Sequence, residues 1–270
     1  MCGIFAYIGL NPIPLEIVFK ILSQLEVDQL PVDKSPVGGH GAGIAIITKN
    51  KIYFNKIGKE NEISPANKLW EIIKNEWSIK EANIIIGHVR RASPKFNHTI
   101  KYKECTQPYI AKCTNKYTII SVHNGFLKNY EELKSKFKLK HKFESEKITL
   151  IDSEVYPHLM EELIINYGDN ENTTNKLLEL TIGNNTTAIL AIKDKNISLH
   201  VIHKGATRGL YVWRNENTLL LCSRKHIIEE NIGKQIEKLN LKIKINPKEK
   251  GEAKLYWKVP SKILNIHQIT

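Results

Sequence analysis

The chain has 270 residues, 41% of them hydrophobic, and a formal net charge of +12. That apolar fraction is enough to bury a core and excludes disorder as the main state, while no apolar run approaches the length of a membrane span. The lysines are scattered among Asn and Ile along the whole length without an RNP, helix-turn-helix or zinc-finger pattern, so the charge does not by itself point to nucleic acid.

The N-terminus, Met1-Cys2-Gly3-Ile4-Phe5-Ala6, has no basic n-region, apolar h-region or small-residue cleavage site, so a soluble cytoplasmic chain is expected. Ile4 to Ile8 reads as a buried strand, followed by an amphipathic helix from about Pro14 to Leu25. Gly43 to Thr48 and Lys51 to Ile57 look like a hairpin, with Asn50 favouring the turn. Ser64 to Trp77 has a helix period, and Asn83 to Ile86 is a continuous apolar strand that delivers the chain to Gly87-His88-Val89-Arg90. Tyr117 to Val122 is another strand, ending at His123-Asn124-Gly125. Helices are expected at Tyr130 to Phe137, Ser153 to Asn166 and Asn175 to Thr181, and strands at Thr186 to Ile192 and Ile197 to His203. Short strands near Leu219 to Cys222, Lys254 to Trp257 and Lys262 to Ile266 finish the series. With no repeat and no Pro/Gly/Ser-rich linker, the order predicts a single α+β domain of two packed sheets with helices outside.

Cys2, Cys105, Cys113 and Cys222 show neither CxxC pairing nor zinc-like histidine spacing, so reduced thiols are expected, with no disulfide framework, metal site or cofactor. Cys2 is different in kind. Removal of Met1 leaves its thiol on the chain's own α-amine, which titrates near pH 7.7–8 and can take the thiol proton, replacing a separate histidine base. On its own, a cysteine in second position is equally a chance residue. Asn124 and Gly125 follow a strand and can aim two N–H donors at one oxygen, although Asn-Gly alone is also an ordinary turn. Asp152 within Ile151-Asp152-Ser153-Glu154 reads either as a helix cap or as a ligand for an α-ammonium, and the planar fork of Arg90 suits an α-carboxylate.

Taken in order, Met1-Cys2-Gly3-Ile4, Gly87-His88-Val89-Arg90, His123-Asn124-Gly125 and Asp152-Ser153-Glu154 resemble the class II (N-terminal nucleophile) glutamine amidotransferases over about residues 1–225. The resemblance implies a four-layer αββα sandwich, a single glutamine amidotransferase type-2 domain over 1–270 with its core at about 2–225 and C-terminal strands in 226–270, and a γ-glutamyl thioester on the nucleophile. It implies Cys2 as nucleophile, Asn124 and Gly125 as oxyanion hole, Arg90 and Asp152 as carboxylate and amine ligands, and Ala92 and Ser93 as lining of the glutamine pocket. His88 and His123 are expected behind these groups rather than at the chemistry.

Three departures stand out. Val37-Gly38-Gly39-His40-Gly41-Ala42-Gly43-Ile44 occupies the place of the family's Arg-Gly-x-Asp-Ser-Ala-Gly loop, keeping only the Ala-Gly half; Arg91 stands where Trp is frequent, and Gln107-Pro108-Tyr109 where His-Pro-Phe or His-Pro-His is common. Residues 226–270 are too few for a fused synthase, so the expected substrate is glutamine or another γ-glutamyl amide, with a separate synthase subunit as possible partner. A γ-glutamyl amide hydrolase, a catalytically silent interaction protein and a basic nucleic-acid binder are the competing readings.

Overall fold

The computed structural model of the chain describes residues 2–264. In order it forms β1 (Gly3–Pro14), α1 (Leu15–Val27), β2 (Gly41–Ile47), β3 (Ile52–Gly58), α2 (Pro65–Glu76), β4 (Glu81–Arg90), β5 (Tyr109–Ala111) and β6 (Thr118–Leu127). There follow α3 (Tyr130–Ser135), α4 (Val155–Tyr167), α5 (Glu171–Leu180), β7 (Gly183–Lys193), β8 (Asn196–Lys204), β9 (Leu210–Arg214), β10 (Thr218–Cys222), α6 (Lys225–Ile236), β11 (Asn240–Ile245) and β12 (Glu252–Lys258).

The strands make two antiparallel sheets, one in the order β11-β9-β10-β1-β4-β2-β3 and the other β12-β8-β7-β6-β5. Alternation along each strand explains the stacking. In β1, Ile4, Ala6 and Ile8 join Ile84 and Ile86 of β4 and Ile120 and Val122 of β6 between the sheets. Phe5 and Ile85 turn the other way, onto α1, α2 and α6. Ile119, Ile189 and Ile202 leave the second sheet toward α3, α4 and α5. A strand covered on both faces reads as a continuous apolar run, which is why Asn83 to Ile86 lacked alternation. The result is an α+β fold in four layers, αββα, as the motif order implied.

Local signals account for most boundaries. Ser64 caps α2 by accepting from the Asn67 N–H at 3.2 Å, with Pro65 in the first turn. Asn170 caps α5 in the same way from Thr173, so that helix begins a turn before the expected Asn175. The expected strand at Lys262 to Ile266 is not formed over its described part: Pro260 fixes φ and its carbonyl accepts from the Ile263 N–H at 3.0 Å, closing a 3-10 turn at Ser261–Ile263, and residues 265 and 266 lie outside the described residues. The segment expected to give only C-terminal strands also contains helix α6, whose Ile227, Ile228 and Ile232 enter the core under the first sheet. Its two strands extend the edges of the two sheets, β11 on β9 and β12 on β8. Strands β5 and β9 were likewise not anticipated.

Candidate active site

Strand β1 lies between β10 and β4, with Gly3 opposite Val89, so Cys2 sits at a strand end in the middle of the larger sheet, beside the end of β4. Strand β6 of the facing sheet brings Asn124 to the same point: the Cys2 backbone nitrogen donates to Asn124 Oδ1 at 3.0 Å. Asn124 Nδ2 is buried and has no hydrogen-bond partner among the described residues. A buried amide nitrogen left without an acceptor carries a desolvation cost, and an oxygen bound beside it removes that cost. Gly125, at φ +143°, is confined to glycine twice over, because a Cβ there would fall 1.8 Å from the Asn184 carbonyl oxygen.

Cys2 is 9% exposed, and its sulfur accepts from the Arg91 backbone N–H at 3.3 Å. Burial pushes the Cys222 thiol up to about 12 and also raises those of Cys105 and Cys113. A cavity of about 360 Å³ opens in front of Cys2, and its walls include Arg90, Ala92, Ser93, Gly125 and Asp152. The fold thus gathers all the expected site residues, six around the cavity and Asn124 against the Cys2 nitrogen.

Arg90, 4% exposed at the end of β4, has both terminal nitrogens bonded to Thr99, Nη1 to its carbonyl at 3.0 Å and Nη2 to its hydroxyl. Among the described residues it forms no ion pair with a carboxylate, and it lines the cavity. Across from it Asp152 accepts the Leu127 N–H at 3.0 Å. The capping alternative for this segment is not realised: α4 starts at Val155, later than expected, and has no side-chain cap, while the Glu154 carboxylate takes the N–H groups of Glu144 and Ser145. Ser93 Oγ is buried and unpartnered among the described residues.

Behind these groups the histidines hold strands together. His88 Nε2 meets the His123 carbonyl at 3.2 Å, tying β4 to β6 and so Cys2's neighbour to Asn124. Burial lowers His88 to about 3 and also lowers His123, which keeps both rings neutral. His123 Nε2 lies 3.1 Å from Asn185 Oδ1 and Nδ1 2.8 Å from the Ser153 hydroxyl, an arrangement that assigns the proton to Nε2. Gln107, one of the departures, donates to the His123 carbonyl at 3.1 Å and accepts its N–H.

The loop before β2 accounts for the first departure. His40 Nδ1 accepts from the Ala92 N–H at 3.2 Å, so a histidine orients the pocket lining; burial, then Arg91, lowers it to about 4. The retained Gly43 is needed for packing, since a Cβ there would lie 2.2 Å from the Gln107 carbonyl oxygen. Sequence reading missed His40 and the Arg91 N–H as contributors. It also missed the buried ion network in which Arg208 meets Asp33 at 2.8 Å and Arg224 meets both Asp28 and Asp33, fixing the chain that leads to His40. Such partners lie 175 to 196 positions apart and share no local pattern.

Among the described residues no helix is long and apolar enough to cross a membrane. Residues 93–230, just over half of the chain, match the glutamine amidotransferase domain family. A glutamine–fructose-6-phosphate aminotransferase (isomerizing) of Pyrococcus horikoshii is 34% identical over 164 residues, 60% of this chain and 23% of that protein. The enzyme of the same name from Methanococcus maripaludis is 30% identical over 255 residues, 92% of this chain and 36% of that protein. The chain therefore spans only about a quarter to a third of the length of these curated relatives. Two solved structures share the fold at 19% identity, each over 94% of this chain. An allosteric regulatory enzyme of purine biosynthesis superposes at TM-score 0.61 over 48% of its own chain, and the glutamine phosphoribosylpyrophosphate amidotransferase of B. subtilis at 0.57 over 49%. With the family match and the αββα fold in agreement, the chain belongs to the class II glutamine amidotransferases, a family of enzymes.

Proposed function

We propose that the chain hydrolyses the side-chain amide of glutamine, releasing ammonia and glutamate through a thioester on Cys2. Once Met1 is removed, the Cys2 nitrogen is the α-amine. It takes the thiol proton, the sulfur attacks the substrate amide carbon, and a tetrahedral oxyanion forms against Asn124 Nδ2 and the Gly125 N–H. Collapse of that intermediate expels ammonia with the proton returned by the amine. Water then attacks the thioester with the amine again as base, and glutamate leaves with the thiol restored. Arg90 pairs with the substrate α-carboxylate as a fork, Asp152 with its α-ammonium, and Ala92 and Ser93 line the side-chain slot.

The single observation that carries the reading is the two-ended use of Asn124, whose oxygen holds the Cys2 nitrogen while its buried Nδ2 has no partner. The test begins with intact-mass confirmation that Met1 is absent, followed by assay of ammonia and glutamate from glutamine. Trapping with hydroxylamine should yield γ-glutamyl hydroxamate from the thioester. Processed protein that releases neither product would end the proposal.

The ammonia's acceptor is proposed to be held by a separate synthase unit. A second reading draws on a neighbouring cavity of about 650 Å³ that shares Ser93 and Arg91 with the first and is also lined by Lys34, Arg208 and Lys248. This basic space suits a γ-glutamyl amide with an anionic leaving group. Faster turnover of such amides than of glutamine itself would favour the hydrolase reading.

A further inference from the structure

On the far side of the second sheet, away from Cys2, four side chains from three separate segments converge. Cys113 lies in the turn between β5 and β6, His141 in the segment between α3 and α4, and His158 and Glu161 three residues apart on one face of α4. One ligand atom from each lies within 4.8 Å of all the others. The individual edges are 3.7 Å from Cys113 Sγ to His158 Nδ1, 3.1 Å between the Nδ1 atoms of His158 and His141, and 3.5 Å from His141 Nδ1 to Glu161 Oε2. A tetrahedral ion with metal–nitrogen bonds of about 2.0–2.1 Å and a metal–sulfur bond of about 2.3 Å requires N···N and N···S edges of about 3.3 and 3.6 Å.

We propose that Cys113, His141, His158 and Glu161 bind one zinc ion as a closed structural site. The donor set of one thiolate, two imidazoles and one carboxylate fits zinc better than calcium or magnesium, which take oxygen ligands. The supporting shell is in place. Glu161 Oε1 is fixed by the Thr114 N–H at 2.8 Å and the Thr114 hydroxyl at 2.7 Å, which orients the carboxylate with Oε2 toward His141. His141 Nε2 lies 3.2 Å from Glu162 Oε1, the carboxylate–histidine pairing that orients a ligating imidazole. Phe143 lies tilted against His158 with ring centres 4.2 Å apart, and Phe137 lies edge-on to His141 at 4.9 Å, so apolar rings flank the centre. Binding releases the Cys113 thiol proton. The ion then pins the β5–β6 turn and residues 137–143 onto α4, the helix that follows Asp152.

The test is metal analysis of the reduced, purified chain together with cobalt(II) substitution. The expected result is one zinc per chain and, with cobalt, the visible absorption of a tetrahedral site with a thiolate charge-transfer band. C113S should abolish that band and H158N should abolish stoichiometric zinc. A strong chelator should lower the melting temperature of the wild type by several degrees and leave that of either variant unmoved. Wild-type protein that takes up neither metal after reduction and reconstitution overturns the proposal, as does zinc retained undiminished in both variants.

Discussion

Replacing Asn124 separates the two jobs its amide is positioned to do. In N124A the acceptor for the Cys2 nitrogen at 3.0 Å and the unpartnered Nδ2 donor disappear together. Loss of a neutral hydrogen bond is worth about 0.5–1.5 kcal/mol, tenfold or so at most. Loss of an oxyanion donor costs about 2.7–4 kcal/mol, or about 10²–10³ in kcat. The donor therefore dominates, and kcat should fall by about two to three orders of magnitude with KM little changed. N124D decides which end matters, because it keeps an oxygen for the Cys2 nitrogen but sets a carboxylate against the developing oxyanion. At about 4 Å and an effective dielectric constant of 20 that repulsion is about 4 kcal/mol, so N124D should be at least as slow as N124A. The assay is steady-state glutamate release on variants whose circular dichroism and melting match the wild type. If N124A keeps kcat within about twofold, or if N124D restores activity, Asn124 does not form the oxyanion hole.

C2A should abolish glutamine hydrolysis with the fold intact, and 6-diazo-5-oxo-norleucine should label Cys2 but not the buried Cys105 or Cys222; peptide mapping that finds label elsewhere with Cys2 untouched refutes the nucleophile. R90K should raise KM about ten- to a hundredfold while changing kcat less, because a point charge cannot reproduce a fork in which each charge-assisted bond is worth about 1.5–3 kcal/mol; a kcat loss larger than the KM rise, read from full saturation curves, contradicts a binding role. H88Q keeps a donor toward the His123 carbonyl and removes a ring held at about 3 in the folded chain. Since the unfolded histidine protonates near pH 6.5, the wild type loses stability as pH falls from there toward 3, by an amount on the order of a few kcal/mol. Urea midpoints measured across that window should fall less steeply for H88Q, and parallel curves would show that His88 does not carry the acid sensitivity.

How far the sequence can be read depends on whether a residue's partner is local. Strand β4 was legible because Ile84, Ile85 and Ile86 are apolar on both faces, and helix α2 because Ser64-Pro65 writes its own start. The site was legible as four short motifs, three of which lie at the ends of elements; the fourth, His123-Asn124-Gly125, lies within β6, which does not end there as expected but stays paired with β7 as far as Leu127. Asp152 shows where this fails. Its local pattern equally suits a helix cap, and the tertiary contact with the Leu127 N–H, 25 residues away, shows only that its carboxylate is not spent on the helix.

His40, Gln107 and the Arg208–Asp33–Arg224 network have no local signature at all. Each is defined by a partner on another strand or loop, and a substitution in the loop before β2 looks like a loss until His40 Nδ1 is seen to accept from the Ala92 N–H. The zinc cluster makes the same point more sharply. Cys113, His141 and His158 stand 28 and 17 positions apart along the sequence, outside the spacing of any short metal motif, and the ion's geometry exists only because α4 covers the β5–β6 turn. A site assembled from one turn, one extended segment and one helix face can retain its four donors while the rest of those segments varies. Short spacing patterns therefore detect the sites that a single hairpin or helix builds alone, and miss those that need the whole layer to be folded first.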